Sequence, residues 1–102
     1  MDPARKVETP FHFYSGMDRP LGIQAQSLLE FLEAVKRVGT ESLEFHLYRG
    51  DFERWIKDVF NSAFLHSRIS ALRRDGVKGE ELRRRLVGVL EEWIGFYLYK
   101  RP

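Results

Sequence analysis

The sequence predicts an α+β domain, mostly helical, with an N-terminal β-hairpin packed on a cluster of four or five helices. Three observations predict it. Two β-prone stretches near the N-terminus flank a segment dense in turn formers. From Ser27 onward, apolar residues recur at helical spacing between recognisable caps and glycines. The last helix carries an apolar arc of roughly 200°, wider than the stripe of a surface helix, so it belongs deep in the domain or has a second face to cover. The 102 residues suit one domain spanning 1–102.

Residues 1–9 are polar and aperiodic and read as a loose lead-in. Phe11-His12-Phe13-Tyr14 places Phe11 and Phe13 on one face of a strand, Ser15 to Pro20 turns the chain, and Leu21-Gly22-Ile23 returns it, giving a hairpin over about 10–25. A hairpin alone is marginal in water, so helices must cover its apolar face. Ser27-Leu28-Leu29-Glu30 is a capping box: the Ser27 hydroxyl accepts from the Glu30 amide and the Glu30 carboxylate reaches back to the Ser27 amide. Leu28, Phe31, Leu32, Val35 and Val38 then share a stripe that ends at Gly39, which predicts a helix over 28–38. Residues 42–48 read two ways. Leu43, Phe45 and Leu47 alternate like a strand, yet Ser42 can cap a short helix with Leu43 and Leu47 four apart.

Gly50 breaks the pattern and Asp51 can cap a helix whose inner arc is Phe52, Trp55, Ile56, Val59 and Phe60. Asn61 or Ser62 can cap the next, about 63–75, with Leu65, Ile69 and Leu72 inward. Gly76 and Val77 fit its end, Gly76 as the left-handed residue and Val77 against Leu72. The last helix spans about 80–98 on Leu82, Leu86, Val89, Leu90, Trp93, Ile94 and Tyr97, with Glu80 and Arg84 placed for an i,i+4 pair.

Composition excludes several classes. The hydrophobic fraction of 43% and charged fraction of 31% suit a folded chain. There is no cysteine, hence no disulfide, thiol nucleophile or cysteine-ligated zinc. No apolar run approaches the roughly 20 residues of a membrane span, and no signal-peptide pattern opens the sequence, so the expectation is a cytoplasmic domain away from the membrane. His12, His46 and His66 fit no metal-ligand spacing, and no phosphate loop, dinucleotide turn or serine elbow is present, so neither metal nor cofactor is expected.

Ser42 to Ile56 reads SLEFHLYRGDFERWI. This resembles the hallmark of a small uncharacterised domain family, found mostly in archaea and thermophiles and classed as a domain of unknown function. The resemblance covers residues 11 to about 90 and includes FHFYSG, the helix from Ser27 and Gly79-Glu80-Glu81-Leu82-Arg83. It implies an accessory or interaction role, implies no known chemistry, and tilts 42–48 towards helix.

Three sets of residues are candidates for function. His46, Arg49, Asp51 and Trp55 surround the Gly50 break. His46 and Asp51 there can form an acid–base pair, or His46 can lock the junction by a hydrogen bond while Asp51 caps the next helix. The structural alternative carries more weight, because spacing fixes no second catalytic group. Arg73, Arg74, Lys78, Arg83, Arg84 and Arg85 gather at the turn between the last two helices. Residues 61–102 hold 9 Lys and Arg against 5 Asp and Glu, whereas residues 1–60 hold 8 against 10. That group can touch phosphates, or its arginines can pair with Asp75, Glu80 and Glu81 in a solvated ion network. Val87, Gly88, Ile94, Gly95 and Leu98 form a flank of the last helix that can pair with a second copy of the chain, unless the hairpin covers it. The expected function is therefore a non-enzymatic accessory or protein-interaction domain that pairs with itself or another protein. A nucleic-acid binder using the basic turn at 73–85 is the alternative, and an enzyme using His46 and Asp51 comes third.

Overall fold

The computed structural model describes residues 2–100. Strands β1 (Phe11–Tyr14) and β2 (Pro20–Ala25) pair antiparallel, Phe11 opposite Ala25 and Phe13 opposite Ile23. The register slips between Phe13 and Tyr14, and Gly22, at φ 73°, lies in the slipped stretch that only glycine enters without strain. Phe11 and Phe13 point inward and His12 outward, as the period-2 pattern requires.

The lead-in is tied down rather than loose. The Leu29 amide donates to the Pro3 carbonyl at 3.0 Å, the Val7 amide to Gln26 at 2.6 Å, and the Trp55 indole to the Thr9 carbonyl at 2.8 Å. Helix α1 (Leu28–Arg37) starts at Ser27, whose Oγ accepts from the Glu30 amide at 3.1 Å. The reciprocal half of the box lands one residue early: the Glu30 carboxylate accepts from the Gln26 amide at 2.8 Å, and its second oxygen takes Lys6 Nζ at 2.6 Å.

Residues 40–49 form a helix, α2 (Thr40–Arg49). Leu43, His46 and Leu47 bury one side of it while Phe45 stays half-buried, so the 1–4 spacing prevails over the alternation. Ser42 is not its cap. Gly39 stands at the cap position and Ser42 lies inside the first turn, fully buried with its hydroxyl unpartnered. Gly50, at φ 78°, closes α2 and opens α3 (Asp51–Trp55), which runs into a π-helical turn at Ile56–Phe60. Asp51 is the first helical residue and makes no cap hydrogen bond; its carboxylate faces other side chains.

Helix α4 (Ala63–Arg74) is capped by Ser62 Oγ on the Leu65 amide. It ends with the Gly76 amide on the Arg73 carbonyl and Val77 on Leu72, the paired bonds of a Schellman end. Helix α5 (Gly79–Lys100) packs on α1, α2 and α4, with Leu82, Leu86 and Leu90 fully buried. The expected Glu80–Arg84 pair does not form. Arg83 takes Glu80 at 2.8 Å and also donates to the Val35 and Val38 carbonyls at 2.9 and 2.7 Å, which caps the end of α1, while Arg84 and Arg85 share Glu81. The hairpin packs on α1 and α2. Between them Phe11, Phe13, Phe31, Phe52 and Trp55 pack as a group of mostly edge-on and tilted rings, the largest aromatic mass of the core.

Candidate functional site

The junction at Gly50 is built around a buried imidazole. His46 is 3% exposed, and its ring lies 4.8 Å from Phe11 and 5.5 Å from Phe52 between centroids. Its Nε2 accepts the Tyr14 backbone N–H at 2.9 Å. Nε2 therefore carries no proton, and Nδ1 donates to Asp51 Oδ2 at 2.8 Å. Burial holds the imidazole below its ordinary pKa, against the opposing pull of the Asp51 carboxylate. Asp51 also receives Arg49 Nε at 3.3 Å and an Nη of Arg54. His46 thus bridges three elements: it is on α2, holds the start of α3 through Asp51, and takes an edge amide of β1 that has no further strand to receive it.

The His46–Asp51 pair has the form of an acid–base dyad, but its outer nitrogen is already engaged by main chain. The pair lies on the wall of a cleft of about 290 Å³ between the hairpin turn and α2, along with His12, Met17 and Phe45. Arg49 spans the rim, its guanidinium 5.0 Å from the Phe45 ring centre and 3.2 Å from the Met17 sulfur. Trp55 does not reach this cleft; it is buried against Phe11, Phe31 and Phe60 and holds the lead-in at Thr9. Among the described residues, no three His, Asp or Glu side chains are grouped to hold a metal ion.

The basic turn is largely self-neutralised. Arg73 turns away from it and grips Glu53 with two bonds, 2.5 and 3.2 Å, while Ser70 Oγ donates to the same carboxylate at 2.6 Å. The Arg73 guanidinium is the main reason the Glu53 carboxyl sits below its ordinary range. Arg83 is held by Glu80 and the end of α1, Arg84 by Glu81, and Arg85 by Glu81 and Asp75. Of the six candidates, Arg74 and Lys78 alone have side chains with no hydrogen-bond or ion-pair partner among the described residues.

The proposed α5 flank is divided by the fold. Ile94 is 7% exposed and Val87 half-buried, because α1 lies over that side and ties down to it through Arg83 and a Lys36–Glu91 pair at 3.6 Å. Neither residue offers a free surface. Gly88 and Gly95 are exposed, with open space where a Cβ would stand, and Leu98 is 53% exposed.

The sequence reading missed an aromatic ladder beside them. Phe64 on α4 stacks on Trp93 at 5.7 Å and 27°, and Trp93 on Phe96 at 6.4 Å and 17°. Arg68 caps the Phe64 end, 5.3 Å from that ring centre. Phe96 is 54% and Tyr99 89% exposed. Spacing carries a partial signal: Phe64 and Arg68 stand four apart, as do the cation and ring they present. The link from Phe64 to Trp93 is tertiary. No helix among the described residues is long and apolar enough to cross a membrane. Compared with family models, curated proteins and solved structures, the chain matches none.

Proposed function

We propose that this chain is a small non-enzymatic accessory domain that works by protein interaction, with the aromatic end of α5 as its contact surface and a second copy of the chain as the occupant. The observation that carries the reading is the stacked row Phe64–Trp93–Phe96, whose two outer rings are exposed, with Leu98 and Tyr99 also exposed on the last turns of α5. Large exposed apolar clusters are uncommon on monomers. Two further features fit a like partner. Gly88 and Gly95 leave the α5 backbone open to close approach on the Tyr99 side. At the patch edge Arg68 and Glu92 stand paired at 2.6 Å, one of each sign, so a two-fold mate presents the complementary charge to each.

The nucleic-acid alternative draws less support, since four of its six basic side chains are paired within the chain. The catalytic reading of His46 and Asp51 is weakened by the Tyr14 amide on Nε2.

Sedimentation equilibrium tests the proposal. At tens of micromolar, well above a roughly micromolar dissociation constant, the expected mass is twice the 12.1 kDa of the chain. Replacing Leu98 and Tyr99 together by Glu should return the single-chain mass with helical content unchanged. A clean monomer for the parent chain overturns the dimer.

A further inference from the structure

We propose that the cleft between α2, α3 and α4 is a binding site for the phosphate group of a small phosphomonoester. The cleft, about 370 Å³, collects Arg49, Arg54, Lys57, His66 and Arg73 around Glu53. Its volume is in the range of small-ligand sites. In sequence Arg49, Arg54 and Lys57 are interleaved with Asp51, Glu53 and Asp58, in a part of the chain, residues 1–60, that is net acidic. The fold separates them: four residues with permanent cations line one opening, Arg49 among them although its guanidinium lies on the rim of the neighbouring His46 cleft, and Glu53 is the single carboxylate in the lining.

That carboxylate is already satisfied. Glu53 is buried, with Arg73 on both oxygens and Ser70 Oγ on one. Asp51, just outside the cleft, holds Arg49 and Arg54. Counting both acids, the lysine and arginines leave the opening two unbalanced positive charges, and His66 Nε2 stands 4.0 Å from Glu53. The Lys57 ammonium has no ion-pair or hydrogen-bond partner among the described residues.

The pairings also fix the guanidinium planes without using all their donors. Arg54 donates one Nη to the Arg49 carbonyl at 3.1 Å and the other to Asp51, and Arg73 uses Nε and one Nη. Each guanidinium has five N–H donors, so several remain. Arginine forks held in place beside a free lysine match a compact anion with several oxygens in a tetrahedral array. Without an anion the cations repel one another across the opening, and a bound dianion relieves that repulsion.

The test is a titration of the full chain with inorganic phosphate and, separately, with ribose 5-phosphate, at ionic strength held constant with sodium chloride. Binding is followed by amide and His66 side-chain NMR shifts and by melting temperature. The expected result is saturable shifts at Lys57, His66 and Arg73 and a rise in melting temperature with ligand concentration. Lys57→Ala, whose side chain has no partner to lose, should weaken binding by about tenfold, the weight of one charged contact. Arg74→Ala with Lys78→Ala should leave it unchanged. Tighter binding of the ester identifies a phosphomonoester; equal binding identifies the free anion, and either supports the site. Shifts that chloride alone reproduces, or binding that survives Lys57→Ala with Arg54→Ala in a chain of unchanged circular dichroism, overturn the proposal. So does affinity confined to an oligonucleotide and lost with Arg74 and Lys78.

Discussion

Hairpin, α2 and α3 converge on His46, and its removal has a calculable cost. His46→Ala deletes a ring packed among Phe11, Phe13 and Phe52 and leaves the Tyr14 amide without an acceptor. Truncating a buried aromatic ring costs about 3–5 kcal/mol, and an unsatisfied buried donor about 1–3 kcal/mol. Asp51 keeps Arg49 and Arg54, so it adds little. The two contributions overlap where the site relaxes and water reaches Tyr14, and roughly 3–5 kcal/mol remains. In a domain of this length about 1 kcal/mol moves the melting temperature by roughly 4–8 °C, so thermal circular dichroism at neutral pH should show a fall of at least about 12 °C. His46→Gln retains an acceptor for Tyr14 and most of the volume, and should lose about half as much. The pH dependence follows from the same geometry. The folded imidazole titrates below its ordinary value of 6.5 because burial disfavours the charged ring, so the unfolded chain binds more protons in that window. Stability is fullest above 6.5, falls as pH drops below it, and levels off beneath the folded value. The lowered carboxyls Glu30, Glu53, Glu80 and Glu81 act only at lower pH, near and below their ordinary 4.5. A scan from about pH 7.5 to 5 should therefore show a slope that His46→Gln flattens. A melting temperature within about 4 °C of the parent for His46→Ala, or a slope the Gln variant retains, refutes the reasoning.

Three other substitutions separate structural roles from surface ones. Ser42→Ala removes a fully buried hydroxyl without a partner and should leave stability unchanged or raise it by up to about 1 kcal/mol, read by chemical denaturation. Glu53→Gln gives up the charge that Arg73 and Ser70 converge on and should cost about 1–3 kcal/mol, also read by denaturation. Ile94→Glu puts a carboxylate where α1 covers α5 and should abolish the cooperative melt, whereas Leu98→Glu should leave it intact.

The fold was legible where one residue does one job visible at short range. The Ser27 cap, the Gly76-Val77 end of α4 and the Leu82–Leu86–Leu90 stripe are local patterns, and the structure keeps them. Residues 42–48 were ambiguous because a buried side of α2 and an alternating strand both use Leu43 and Leu47; the decision lies with His46, whose burial on the same face depends on Tyr14 thirty-two residues away. The lead-in looked loose for a related reason. Its hydrogen bonds run through main-chain carbonyls of Pro3 and Thr9, which no side-chain pattern announces.

The candidate sites were less legible because charges choose partners in three dimensions. Arg73 and Arg83 sit in one basic run, yet Arg73 reaches across to Glu53 on α3 and Arg83 closes the end of α1. A count of charge along the chain assigns both to an anion-binding turn, and the fold turns both into braces. The reverse holds at Lys57, which sits between acids in sequence and stands unpaired beside three arginines in space. The α5 flank splits the same way. Its apolar arc is too wide for one core contact: α1 covers the Val87 and Ile94 side, and Gly95, Phe96 and Tyr99 lie exposed on another. A wide arc says that a helix has two faces to bury; which face the chain buries itself depends on where the neighbouring helix ends, and here Arg83 fixes that end.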